Sequence, residues 1–250
     1  MRPTLRLLAA RIAIPTNTLF PRVPSVPCPP PSTPPCACNP EGLDIDRETP
    51  LMGTMPRYGK HLVVATGVSD WPSKIEMDPK NELAGKIKAV MRSKGDPFNP
   101  TLVTNSSLPG GGVYEFPAGR FYPADELSSL LSTGELSPDA HTLKHATVLI
   151  CSHNSRDTRC GSYYPILKKE FETVLKREGI EGVKVEGTSH LSGHKFAGNV
   201  VVYLPQGWGV WYGRVGVGEV EGIVRETIMG GRVLKGLTRG VVGREMEEDV

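Results

Sequence analysis

The chain of 250 residues carries 29 Lys and Arg against 27 Asp and Glu, a net charge of +2, with 38% apolar and 6% aromatic residues. That is apolar material for one large core or two small ones, and so even a charge balance with so few aromatics excludes a nucleic-acid surface. No run approaches the ~18 consecutive apolar residues of a membrane span, and five unevenly spread cysteines do not make a secreted disulfide framework.

The chain opens with Arg2, Arg6, Arg11 and Arg22 and has no acidic residue before Glu41, while Leu5, Leu8 and Ile12 recur at helical spacing. A basic, acid-free amphipathic start predicts a mitochondrial transit peptide over 1–23, hence residence in the matrix or the intermembrane space. Residues 24–42 contain PSVPCPPPSTPPCACNP, which predicts an extended, poorly ordered linker. Its Cys28, Cys36 and Cys38 read as accessible thiols, since three thiolates leave a tetrahedral metal site one ligand short.

An N-terminal α/β half is expected over 43–142. HLVVAT at 61–66 is an apolar strand and GVSDWP at 67–72 the turn after it. Leu83, Ile87 and Val90 predict a helix over 81–93 stopped by Gly95, with short strands at 101–104 and 113–116. His141 and His145 stand at i,i+4, but they lie between a proline and a strand with no further ligand nearby and read as solvated.

The second half, expected over 143–237, is more regular. TVLIC at 147–151 is a buried-type strand, 152–161 a polar loop, and Pro165 suits the first turn of a helix. Leu167, Phe171, Val174 and Leu175 form that helix's apolar stripe and Gly179 its end. Val183 and Val185 mark another strand, 200–204 and 210–214 flank a PQGWG hairpin, and 219–229 reads as a closing helix. The order βαβ then ββα is that of a thioredoxin-like domain. The predicted fold is therefore α/β, two packed halves of which the second is thioredoxin-like, with a polar, frayed tail over 238–250.

The chemistry concentrates in that second half. Cys151 and Cys160 flank the loop after its first strand, and His190 and His194 lie in the loop before its third, giving Cys-x8-Cys and His-x3-His. In a βαβ unit those two loops are neighbours at one end of the sheet. Ser192 and Gly193 argue for a tight turn between the histidines rather than a helix. Two thiolates and two imidazoles suit a closed structural zinc site, or a [2Fe–2S] cluster in which histidines replace two cysteines. Without metal, Cys151 and Cys160 would form a redox dithiol, Cys160 lying beside Arg159. Each residue alone has a plainer reading, Cys151 as a small buried hydrophobe and either histidine as a surface residue.

The runs CSHNSRDTRCG, SHLSGHKFAGN and WYGRV closely resemble the sucrase/ferredoxin-like family, with its C-x-H-x-S-R-D-x-R-C-G and S-H-x-G-G-H-x-x-A-G-N runs. DIDRETPLMGTM and WPSKIE resemble the fungal branch of that family named for altered inheritance of mitochondria. The resemblance spans about 36–240 and departs at Ser192, where a glycine is usual. It implies a thioredoxin-like [2Fe–2S] ferredoxin fold, with Cys151, Cys160, His190 and His194 as cluster ligands and a histidine pair where other such ferredoxins carry Cys-x3-Cys. It further implies mitochondrial residence and a link to redox homeostasis, and the expected activity is one-electron transfer with a redox partner protein. Arg156, Asp157, Arg159, Lys195 and Asn199 belong to the same runs and are expected to hydrogen-bond or charge-balance the cluster from behind its ligands.

Overall fold

The computed structural model describes residues 23–243. The leader expected over 1–23 lies, apart from Val23, outside the described residues, as do 244–250 of the tail. In chain order the strands and helices are β1 (Ser25–Pro27), β2 (Lys60–Ala65), α1 (Glu82–Lys94), β3 (Thr101–Ser106), β4 (Val113–Phe116), β5 (Arg120–Tyr122), α2 (Ser128–Thr133) and β6 (His141–Thr142). The second half adds β7 (Thr147–Cys151), α3 (Thr158–Arg177), β8 (Lys184–Thr188), β9 (Val200–Leu204), β10 (Trp208–Tyr212), α4 (Val217–Gly222), β11 (Val233–Lys235) and β12 (Thr238–Val242). A π-helical turn, Ile223–Met229, continues α4.

The two α/β halves meet edge to edge in one ten-stranded sheet of order β12-β10-β9-β7-β8-β3-β2-β4-β5-β6. Within the second half, β7 and β8 run parallel with α3 between them, β9 lies antiparallel on the other side of β7, and β10 returns from β9 as a hairpin. The order β10-β9-β7-β8, closed by α4, is the thioredoxin-like arrangement. Alternation along β7 decides which side holds the chemistry. Val148 and Ile150 join the core with Leu167, Phe171 and Val174 of α3 and Val220 of α4. Leu149 and Cys151 face the opposite layer, with Tyr203, Trp211 and Leu191.

The joint between the halves is narrow: β3 and β8 share the pairing Ser106–Thr188. Short hydroxyl side chains extend it, Ser106 Oγ donating to the Gly187 carbonyl at 2.7 Å and Gly187 N–H to Ser107 Oγ at 2.8 Å. Behind it a buried polar chain crosses from one half to the other. Trp211 Nε1 donates to Tyr58 Oη at 2.6 Å, Tyr58 Oη meets Tyr203 Oη at 2.8 Å, and His61 spans Tyr203 Oη at 2.7 Å and Thr104 Oγ1 at 2.8 Å. Burial pushes the His61 imidazole down to about 3. The unfolded chain then binds a proton below about pH 6.5 that the fold refuses, so folding stability should fall as pH drops below that value. The slope should approach about 1.4 kcal/mol per unit before carboxylates begin to titrate. Thermal melts between pH 6.5 and 4.5 check this, and His61→Gln should flatten the dependence.

Three expectations are corrected. The helix of the second half begins at Thr158, not near Pro165, because Asp157 caps it by accepting from Arg159 N–H at 3.1 Å. Pro165 thus lies inside α3, whose well-capped first turn and long apolar stripe outweigh one missing hydrogen bond. Residues 24–42 are not a loose linker. β1 pairs in parallel with β11, Ser32 bonds Glu221 through its N–H at 3.0 Å, Cys36 N–H donates to Glu170 at 2.7 Å, and Asn39 caps α4 through Val217 N–H at 2.9 Å. A proline-rich segment has few N–H groups, and here the buried carboxylates of Glu170 and Glu221 receive two of them. Cys28 is half-buried, and burial raises its thiol to about 11, while Cys36 and Cys38 are exposed. Nor is the tail frayed from 238. Thr238–Val242 is an antiparallel strand against β10, because Val241, Val242 and Thr238 supply strand-forming residues and β10 needs a neighbour on its open edge.

Candidate metal centre

Cys151 ends β7 and Cys160 sits in the first turn of α3, so the strand–helix connection returns the second sulfur over the first. Both are buried, at 2% and 1% exposure, and neither is in a disulfide. Cys151 Sγ accepts from the Cys160 thiol, and the His190 ring and the Leu191 N–H also bond it. Led by the Cys160 bond, these hold Cys151 well below the usual thiol range, against the cost of burial. The same bond, with burial, pushes Cys160 up. The opposite directions of the two shifts favour holding the pair's shared proton on Cys160.

His190 follows β8 and reaches the pair because its N–H donates to His153 Nδ1 at 3.2 Å, while His153 Nε2 donates to the Trp71 carbonyl at 2.9 Å. His153 is buried. His194 begins a short 3-10 turn, and its ring lies 5.5 Å from that of His190. The turn between them is left-handed at both Ser192 (φ 62°) and Gly193 (φ 63°), which explains why glycine is usual at the first position. A Cβ on Gly193 would meet Arg239 Nη2 at 2.6 Å.

The residues expected behind the ligands divide. Asp157 caps α3, takes a two-pronged bond from Arg159 Nε and Nη2, both at 2.9 Å, and lies 4.0 Å from His194 Nε2. Asn199 accepts Cys151 N–H at its carbonyl (2.9 Å) and donates from Nδ2 to the Gly193 carbonyl at 3.0 Å, tying the strand to the histidine turn. Lys195 turns away to Asp46 at 2.8 Å and holds that carboxylate far below its usual range. Arg156 reaches the Ser73 carbonyl at 3.1 Å.

Sequence reasoning passed over His153, although it is the third residue of CSHNSRD. It also assigned Arg239 to a frayed tail. That guanidinium is fully buried and donates to Asn199 Oδ1 at 2.7 Å, to the carbonyls of Ser192 (3.1 Å), Leu191 (3.5 Å) and Thr54 (2.7 Å), and to Thr54 Oγ1 at 3.0 Å. None of these partners is a carboxylate. Burial lowers it to about 10, and negative charge on Cys151 and Cys160 opposes that shift. The buried cation thus finds its counter-charge at the thiolate, with the Leu191 peptide between them, its N–H on Cys151 and its carbonyl on Arg239.

Among the described residues, no three His, Cys, Asp or Glu side chains gather as a single metal ion would need. The donor chemistry nevertheless suits a cluster: two sulfurs in contact, two imidazoles side by side, and His190 Nδ1 buried without any hydrogen-bond partner. No helix among the described residues is long and apolar enough to cross a membrane.

Residues 51–240 match the sucrase/ferredoxin-like family. Altered inheritance of mitochondria protein 32 from Debaryomyces hansenii is 31% identical, covering 83% of this chain and 93% of that one. The protein of the same name from Clavispora lusitaniae is 34% identical over 78% and 85%. Among solved structures, the thioredoxin-like [2Fe–2S] ferredoxin from Aquifex aeolicus is 24% identical, with 38% of this chain and 97% of that one covered and a TM-score of 0.31. By the extent of the family match and by these relatives, the chain belongs to the sucrase/ferredoxin-like family.

Proposed function

We propose that this is a mitochondrial one-electron carrier of redox homeostasis, its [2Fe–2S] cluster held by Cys151, Cys160, His190 and His194. The observation that carries the reading is the buried Cys151–Cys160 pair in contact with His190, whose Nδ1 is sealed from water and unpaired. An imidazole nitrogen left so is costly unless it binds something. Pairing of donors, two sulfurs and two imidazoles, fits a binuclear group, which asks for two protein ligands per iron. When bound, such a cluster supplies reversible uptake of one electron. Two thiolates and two neutral imidazoles bring two negative charges where four cysteines would bring four, and Arg239 adds a buried positive charge nearby. Both favour accepting the electron. The relatives' name supports mitochondrial residence in the matrix or the intermembrane space, and a redox partner protein would complete the exchange.

A second reading, a thiol–disulfide oxidoreductase, draws on the thiolate–thiol pair itself. Burial of both sulfurs weighs against it, since a substrate disulfide must reach the attacking thiolate. The test is to purify the protein anaerobically and measure iron, acid-labile sulfide and the visible spectrum before and after dithionite. Two irons and two sulfides per chain, with bleaching on reduction, are expected. A colourless protein without metal would favour the dithiol enzyme, and stoichiometric zinc a structural module.

A further inference from the structure

A cleft of about 620 Å³ opens where the two halves meet, between α1 with the 73–76 and 95–100 loops on one side and the 153–156 and 189–190 loops on the other. Of the four candidate ligands, only His190 lines it. Its walls carry four cations, Lys74, Lys88, Arg92 and Arg156, against two carboxylates, Glu76 and Asp96. Lys88 and Glu76 neutralise each other at 2.9 Å. Asp96 is engaged in its own turn, accepting Phe98 N–H at 2.8 Å. With that pair set aside, Lys74, Arg92 and Arg156 face the single carboxylate of Asp96, so the mouth keeps a net charge of about +2.

The floor is polar and buried, with His153 and Ser189 each 1% exposed. Directly behind Ser189 lies Asn105, joined to it by two bonds, Asn105 N–H to Ser189 Oγ at 3.0 Å and Ser189 N–H to the Asn105 carbonyl at 2.8 Å. Asn105 shares a face of β3 with Val103, which lines the cleft. Its side-chain amide is fully buried, and neither its nitrogen nor its oxygen has a hydrogen-bond partner. The amide is not part of the cleft's lining, whose floor is His153 and Ser189.

We infer that this cleft binds a small organic anion bearing phosphate or carboxylate groups, its charge met by Lys74, Arg92 and Arg156 above the buried polar floor of His153 and Ser189. The volume lies in the range of small-molecule sites, and the buried polar floor is out of reach of the flat surface of a protein partner. Guanidinium groups favour planar oxyanions through paired N–H donors. The inference goes beyond the electron-transfer reading and does not depend on it, although its ligand would rest against His190.

Calorimetric titration of the full chain with inorganic pyrophosphate, and separately with citrate, tests it. Saturable binding of at least one probe is expected, weakened by added salt. Arg92→Ala and Lys74→Ala should each weaken it about tenfold. Lys176→Ala, an exposed cation away from the cleft, should leave it unchanged. Absence of saturable binding by both probes overturns the inference, as does equal weakening by Lys176→Ala, which would mark general attraction to a basic surface. Iron and sulfide content of the same samples reports on the cluster separately.

Discussion

Replacing His190 and His194 together by cysteine is expected to keep a red-brown protein and to lower its reduction potential by roughly 250 mV or more, the gap between histidine-ligated and all-cysteine binuclear clusters. Two neutral donors become two thiolates, and in a site walled by buried Leu191, Trp211 and Tyr203 the added negative charge is poorly screened. At about 59 mV per tenfold for one electron, that shift exceeds four orders of magnitude in the reduction equilibrium. The dependence of potential on pH should flatten too, because thiolates bring no ring N–H to couple to the electron. Protein-film voltammetry across pH measures both. An unchanged potential would mean that the histidines are not ligands.

Arg239→Met should cost about 3–5 kcal/mol of folding stability, since it strands the buried oxygens of Thr54, Ser192 and Asn199 and leaves the thiolate without its nearby cation. For a domain of this size that is a fall in Tm on the order of 10 °C. The potential should also drop, because a buried positive charge stabilises the reduced, more negative state. Arg239→Lys keeps the charge but not the planar set of donors, and should therefore lose stability while preserving most of the potential. A methionine variant as stable as the parent and with the same potential would remove Arg239 from the centre. If the methionine variant does not fold, the lysine variant still separates charge from geometry.

Much of the frame was legible in the chain. Thr147–Cys151, Val113–Phe116 and Val200–Leu204 form at the bounds expected, and β2, α1 and β3 lie within a residue or two of theirs. The closing helix starts two residues early and widens into a π turn. These are elements whose apolar periodicity is strong and local. The misses have a common cause. Pro165 was allowed to set a helix start that the Asp157 cap sets earlier. The proline-rich segment was judged by composition, although Glu170 and Glu221, more than a hundred residues away in sequence, hold it down.

At the site, spacing alone brought forward Cys151, Cys160, His190 and His194, because residues in the two loops of a βαβ unit must come together at one sheet end. His153 and Arg239 were not legible. The first looks like any loop histidine until its ring is seen accepting His190 N–H, and the second like a solvated arginine until β12 carries it inside. Periodicity and loop adjacency are properties of short stretches, so the sequence by itself determined the two halves and the candidate ligand pairs. Charge compensation, burial and the cleft depend on groups that only packing brings together, so the tertiary structure alone decided which cation faces the thiolate, which face of β7 holds the chemistry, and how His190 joins the core to the surface.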